Sequence, residues 1–396
     1  MLSAKSAGLL ILLLSAGILT AGDWPLWRGP ANNGISAETG WKPSGIKKVL
    51  WEKNVGIGYS CMTVADGKLY TLGNKDGKDI IICLDAGTGD EKWHYSYACS
   101  PGKSYPGPRA TPVIYKKCIY SLSSEGLLNC LDAAAGKLKW SKKVGGGGAK
   151  NLRWKYSGSP CPVDGKIIIN AGKTGMAFDA ATGRELWKSG GTGGYATPII
   201  FTSDGEKYAA IFSKDTLEIV SVKDGRSAAS YPWKTKYDIN AADPLVIGDG
   251  MIFITSGYGH AGALLKFSGG KLKKIWENQN MKSQFSSPVF YGEYIYGTDG
   301  KAGKGNLLCL SVKDGSVKWK YEKNYYGSII IAGEKIIFLT DRGKILIGKA
   351  SPDGFKPETG DYVMKNAGKC WTMPVLADGR LYCRGSNGKL VCFDMN

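Results

Sequence analysis

Short apolar runs, each broken by a two-residue polar turn, recur from Thr63 to the C-terminus. "TVADGKLYTL" starts at Thr63, "PVIYKKCIYSL" at Pro112, "PVDGKIIIN" at Pro162 and "PVFYGEYIYG" at Pro288. "PIIFTSDGEKYAAIF", "PLVIGDGMIFIT", "IIIAGEKIIFLT" and "PVLADGRLYCR" complete a set of eight. Each reads as strand, tight turn, strand. β-Branched and aromatic residues flank Asp-Gly or Gly-Glu pairs, and those pairs supply the positive φ that hairpin turns need.

A second pattern alternates with the first. "CLDAGTGDEKW" ends at Trp93, "CLDAAAGKLKW" at Trp140 and "AFDAATGRELW" at Trp187. Related segments end at Trp233, Trp276 and Trp319, so the successive spacings are 47, 47, 46, 43 and 43 residues. A four-stranded propeller blade occupies about 40–45 residues. The seventh unit has no Trp, and Val363 takes that place. The eighth stops at "LVCFDMN" without an outer strand. "VLWEKNV" (Val49–Val55) can supply it, with Trp51 as its Trp. The pattern therefore predicts an all-β, eight-bladed β-propeller of four-stranded blades, closed by an N-terminal strand that completes the last blade. Closure of this kind removes free sheet edges. Trp51, Trp93, Trp140, Trp187, Trp233, Trp276 and Trp319 are expected to pack between blades, since a Trp buries roughly 150–250 Å².

The "LDAxTGxxxW" unit resembles the repeat of pyrroloquinoline-quinone-type (PQQ-like) β-propellers. Leu84–Trp93, Leu131–Trp140 and Phe178–Trp187 match it, and Leu310–Trp319 is a near variant. "WPLWRGPANNGIS" resembles the N-terminal signature of small exported bacterial members. The resemblance covers almost all of the chain after the N-terminal apolar segment. It implies one of three roles. Quinoprotein dehydrogenases bind the quinone and calcium at the mouth of the propeller, and many carry adjacent cysteines there; here no two Cys are adjacent. The outer-membrane β-barrel assembly lipoprotein is a partner-binding scaffold, but its lipid-attachment Cys is missing here. The third group is exported propellers of unassigned role.

The first residues change the picture of location. Lys5 precedes "LLILLLSAGIL" (Leu9–Leu19), followed by Thr20, Ala21 and Gly22. This reads as an export signal over residues 1–22. Residues 23–48 then form an N-terminal clasp and 49–396 the propeller. Within the clasp, Trp24 and Trp27 are expected to anchor the chain against the last and first blades, Pro25 and Pro30 to stiffen it, and Arg28 to be its one ligand-capable group. The expected location is the periplasm or cell envelope.

The chain has 396 residues, a formal net charge of +18, and its lysines are scattered through turns. Export argues against nucleic acid and leaves acidic ligands or peripheral membrane association. Of the ten Cys, Cys83, Cys130, Cys309 and Cys392 fall at matching repeat positions in different blades. Such residues are too far apart to bridge, so they read as buried thiols. With only two His, a catalytic triad or histidine zinc site is poorly supplied. "NAGKTG" lacks the leading Gly of a phosphate loop, and "GNKDGKD" lacks the acidic ligands of a calcium loop. Asp85, Asp132 and Asp179 recur with the repeat and read as turn caps. "GGGG" (Gly145–Gly148) reads as a loop. No residue is assigned a catalytic or metal-ligating role.

One constellation is left. The segments leading into the first strand of each blade should ring one mouth of the channel. They place Tyr59, Arg109, Tyr156, Tyr195, Asn240, Phe285, Tyr326 and Trp371 there, a funnel suited to a planar or sugar-like ligand. Lys103, Lys150, Arg153 and Lys155 lie in basic loops nearby and favour an anionic one. The leading functional expectation is a non-catalytic scaffold or ligand-binding module for envelope proteins or an anionic or planar small ligand, with no cofactor. The alternative is a PQQ-dependent alcohol or sugar dehydrogenase with calcium.

Overall fold

A computed structural model describes residues 22–145 and 152–396. The export-signal expectation (except Gly22), most of the four-glycine loop and Lys150 lie outside the described residues. The rest forms eight sheets, antiparallel throughout except for one two-residue strand, Ile35–Ser36, that joins the seventh in parallel. Blade 1 is Thr63–Ala65, Lys68–Lys75, Lys78–Asp85 and Glu91–Ala98, paired in chain order. Blades 2 to 7 repeat this order. The first strands of successive blades touch one another around the ring and are largely buried, whereas the last strands alternate exposed and half-buried positions. First strands therefore line the channel.

The hairpins form as their turn residues demand. Asp66–Gly67, Asp164–Gly165, Asp204–Gly205 and Asp378–Gly379 all have positive φ at both positions, the backbone of a two-residue hairpin turn. Blade 8 contains Val375–Ala377, Arg380–Arg384 and Lys389–Asp394, and Val49–Asn54 pairs antiparallel as its outer strand. The N-terminal closure is therefore present, one residue shorter than its expected end at Val55.

The repeat motif is the joint between blades. Trp93 Nε1 of blade 1 donates to Ala133 O of blade 2 (3.2 Å), and Trp140 Nε1 to Ala180 O of blade 3 (3.0 Å). Trp51, Trp187, Trp276 and Trp319 reach Ala86, Val222, Val312 and Ser351 of the following blade in the same way. The motif glycine sits against the previous blade's indole: a Cβ on Gly136 would lie 2.5 Å from Trp93. Asp85, Asp132 and Asp179 cap the turns, each Oδ1 accepting two backbone N–H groups at 2.8–3.1 Å. These bonds, with Thr182 Oγ1 for Asp179, hold the three carboxyls below the usual range.

Two positions differ from the sequence expectation. In blade 4 the bulge that precedes each joint residue aligns Ala229, not Trp233, with the Trp register. Trp233 lies just past the strand, yet its indole still crosses to Ser256 Oγ of blade 5 (3.1 Å). In blade 7 the same register position is Thr359, not Val363. There the joint is filled from elsewhere. Trp41 and Ile46 are buried in the adjoining core, and the short 3-10 helix Pro43–Lys47 packs against Pro357–Tyr362 and Lys389–Asp394. All ten cysteines are buried and unpaired.

Candidate functional site

The segment from Asp23 to Ser36 runs inside the ring. Trp24 bridges Val64 in the inner strand of blade 1, with N–H···O bonds of 2.7 and 2.9 Å. Pro25 O accepts Ile114 N of blade 2 (2.9 Å). Trp27 Nε1 then donates to Asp243 Oδ2 of blade 5 (2.7 Å), and Arg28 donates to Pro288 O at the head of blade 6. Ile35–Ser36 pairs in parallel with the inner strand Gly327–Ala332 of blade 7, and Ser36 Oγ donates to Leu376 O of blade 8 (3.5 Å). A stretch that meets inner strands on opposite sides of the ring must occupy its channel. Trp24 meets blade 1, and Trp27 packs against the core that blades 7, 8 and 1 share while its indole reaches across the channel to a buried carboxylate.

That carboxylate is the electrostatic centre of the plug. Asp243 is 3% exposed and also accepts Thr197 N (2.7 Å) and Ser287 Oγ (3.1 Å). Burial raises its pKa, opposed by Arg28 and these donors. Arg28 is fully buried, and burial lowers its pKa to about 10, opposed by Asp243. The two side chains are not in direct contact; each is held by its own hydrogen bonds.

The opposite mouth is closed by rings. Of the eight funnel residues, Tyr156, Asn240 and Tyr326 are fully buried, and Tyr195 nearly so. Their tasks are internal. Tyr326 Oη accepts the backbone N–H groups of Phe285 and Ser286 (3.0 and 3.1 Å). Asn240 Nδ2 donates to three carbonyls, those of Ser213, Lys214 and Trp233. Tyr59, Arg109, Phe285 and Trp371 are half-buried. Trp371 touches Phe285 (4.9 Å between ring centres) and Tyr59 (5.2 Å). Tyr105 and Trp154, which the sequence reading did not single out, extend the cluster: Tyr105 lies 5.1 Å from Trp371 and 5.5 Å from Trp154. Lys369 Nζ sits 4.4 Å over Tyr105 and 4.7 Å over Trp371, a cation–π arrangement. Tyr105 and Trp154 lie in the basic loops that carry Lys103, Arg153 and Lys155, "GKSYPGPR" and "LRWKY".

Arg109 is used differently from the expected ligand contact. Its guanidinium donates to the carbonyls of Tyr105 (2.8 Å), Ser104 (3.4 Å) and Gly107 (3.5 Å). It therefore holds the loop that carries Tyr105, whose φ is +52°. Among the basic loop residues, Lys155 pairs with Glu125, and Arg153 lies 5.1 Å over Trp154.

A planar quinone does not fit this mouth. Rings with centres 4.9–5.5 Å apart are in direct contact, and no slot for another ring lies between them. Trp27 and Arg28 fill the channel beneath. Among the described residues, no group of three His, Cys, Asp or Glu is placed to hold a metal ion.

The ring of eight four-stranded blades with its indole joints makes this a PQQ-like β-propeller. The profile of the family described as outer membrane protein assembly factor BamB matches residues 77–321, and the chain belongs to that family. Quinohemoprotein alcohol dehydrogenase ADH-IIG of Pseudomonas putida is 26% identical over 136 residues, 32% of this chain and 18% of that protein. The match thus spans less than a fifth of that relative. Among solved structures, a europium-containing methanol dehydrogenase superposes with a TM-score of 0.69 at 12% identity, covering 94% of this chain and 98% of the other. The quinohemoprotein alcohol dehydrogenase of Comamonas testosteroni gives 0.68 at 14% identity, covering 94% and 80%. At these identities the likeness is one of fold, and chemistry has to be read from the site.

Proposed function

We propose that this protein is a non-catalytic propeller of the cell envelope whose mouth face binds a partner protein. The observation that carries this reading is that the channel is filled by the chain's own residues: Trp24 to Ser36 within it, and Phe285, Trp371, Tyr59 and Tyr105 over its mouth. What is left for recognition is the rim. There, aromatic rings and cations combine, with Tyr105 38% exposed and Lys369 above it. Aromatic residues are enriched where proteins bind proteins. Membership in the assembly-factor family supports an envelope location and protein partners, and an N-terminal export signal is consistent with both.

A photo-crosslinking residue at Tyr105 tests it, with Val317, exposed on an outer strand, as control. A discrete envelope adduct from position 105 alone is expected. The alternative, a PQQ- and calcium-dependent oxidoreductase, draws its support from the named relatives. Stoichiometric quinone uptake with alcohol-dependent dye reduction by the purified protein would overturn the scaffold reading.

A further inference from the structure

A second feature of the mouth face lies off the axis. A cavity of about 430 Å³ opens between blades 5 and 6, within the size range of small-molecule sites. Four lysines line it, Lys282, Lys301, Lys304 and Lys320, against one carboxylate, Asp299. That carboxylate is already engaged: it accepts Lys282 N (3.0 Å) and Lys320 Nζ (3.2 Å). Lys282, Lys301 and Lys304 have no ion-pair partner among the described residues. Three like charges around one concavity repel one another, and an anion seated among them would relieve that repulsion.

The walls are built rather than loose. The hairpin carrying Lys301 and Lys304 is tied at its tip, with Ala302 N donating to Gln284 Oε1 (3.1 Å) and Gly303 N to Asp341 Oδ2 (2.5 Å). Asn306 Oδ1 accepts Asn324 N (3.0 Å), fixing the amide and leaving its NH2 as a donor. The floor is glycine. A Cβ on Gly305 would lie 2.7 Å from Asp299 O, and one on Gly300 would lie 2.4 Å from Lys304 O, so backbone packs closely there. No aliphatic side chain lines the cavity; Tyr258 supplies its single ring. The polar groups that line it suit a ligand with one concentrated negative charge: lysines bind phosphate as point charges, and amides and a phenol suit hydroxyls.

We infer that this cavity binds a phosphorylated saccharide, its phosphate among Lys282, Lys301 and Lys304 and its hydroxyls on the amide side. The site borders the aromatic cluster but uses none of its rings, so it holds whether or not the rim binds a protein. Calorimetry with glucose 1-phosphate, glucose and inorganic phosphate, at low and at physiological salt, tests it. Glucose 1-phosphate is expected to bind saturably and more tightly than phosphate, with glucose silent. K301Q/K304Q, two exposed positions, should weaken binding at least tenfold while leaving the melting temperature in place. Equal binding by wild type and K301Q/K304Q would overturn the assignment, as would no saturable binding of the sugar phosphate. Binding only to phosphatidylglycerol vesicles, and not to the free sugar phosphate, would replace it with a membrane-surface contact.

Discussion

Arg28 is where the plug can be tested most sharply. Its guanidinium is fully buried, donates to Pro288 O and to Asn33 O (3.2 Å), and faces the buried Asp243 carboxylate. Arg28→Met keeps an unbranched side chain but removes the charge. Two carbonyls then lose a charged donor, and Asp243 loses its positive neighbour. Breaking a buried charge arrangement from one side typically costs about 3–5 kcal/mol, against a total stability of about 5–15 kcal/mol for a domain. For a chain of this size, that corresponds to a melting-temperature drop of about 4–6 °C. Arg28→Met, Asp243→Asn and the double variant are compared by thermal and urea unfolding. The double variant should be less damaged than the two singles added together, since neutralising both partners leaves no uncompensated charge. The pH dependence has a definite sign. Burial already raises the folded pKa of Asp243, and loss of Arg28 raises it further. A raised carboxyl favours folding when protonated, so the Arg28→Met defect should be larger at high pH than at low pH. A melting point within about 1 °C of wild type at pH 8 would refute the argument, because surface substitutions change stability by that little.

Three further outcomes follow from single joints. Arg384 of blade 8 is fully buried and donates to Ser60 O, Thr71 Oγ1, Leu72 O and Gly56 O of the blade 1 side at 2.5–3.0 Å; Arg384→Met should lower unfolding free energy in urea by about 3–5 kcal/mol, and Lys should not rescue it because it lacks the planar fork. Gly34 has φ +81° and a Cβ there would lie 2.7 Å from Val289 Cγ2, whereas Gly40 at φ +79° has open space; Gly34→Ala should cost about 2 kcal/mol or more in thermal unfolding and Gly40→Ala only about 1 kcal/mol. The folded pKa values of Asp85, Asp132 and Asp179 are lowered by their turn N–H groups, so their stabilisation is complete above the unfolded value of about 4 and is lost as pH falls through the lower folded values; the Asp→Asn triple variant should show a flatter acid limb in a pH series of melts.

The blades were legible because each is a local object. A hairpin turn and an indole joint recur within one period, and both leave marks that spacing alone reveals. Blade 8 was legible for the same reason: its missing strand had to be somewhere, and Trp51 carried the joint signature. The two misplaced joints were not legible because no Trp marks them: the bulge found in the other blades puts Ala229 and Thr359 at the joint position, each four residues before the expected Trp233 and Val363. The path of Asp23 to Ser36 was invisible for a different reason. It has no periodicity, and its partners, such as Asp243 and Pro288, are more than two hundred residues away. Arg109 illustrates the limit for sites: its residue type suggested an anion, while its loop carbonyls had first claim on its donors.

The closing of the ring also explains why the plug and the missing joints belong together. Six blades pass an indole to their successor in repeat register; blades 4 and 7 do not. Blade 4 recovers its joint locally through Trp233. Blade 7 adjoins the blade where the two chain ends meet, and there the N-terminal segment does the work three times over. Ile35–Ser36 lengthens blade 7 at the channel, Trp41 and Ile46 fill the core towards blade 8, and Val49–Asn54 completes blade 8. A chain that crosses its own channel before closing its own ring has used that channel as core. The surfaces the two proposals use, the aromatic rim and the lysine-lined cavity beside it, both lie outside that core.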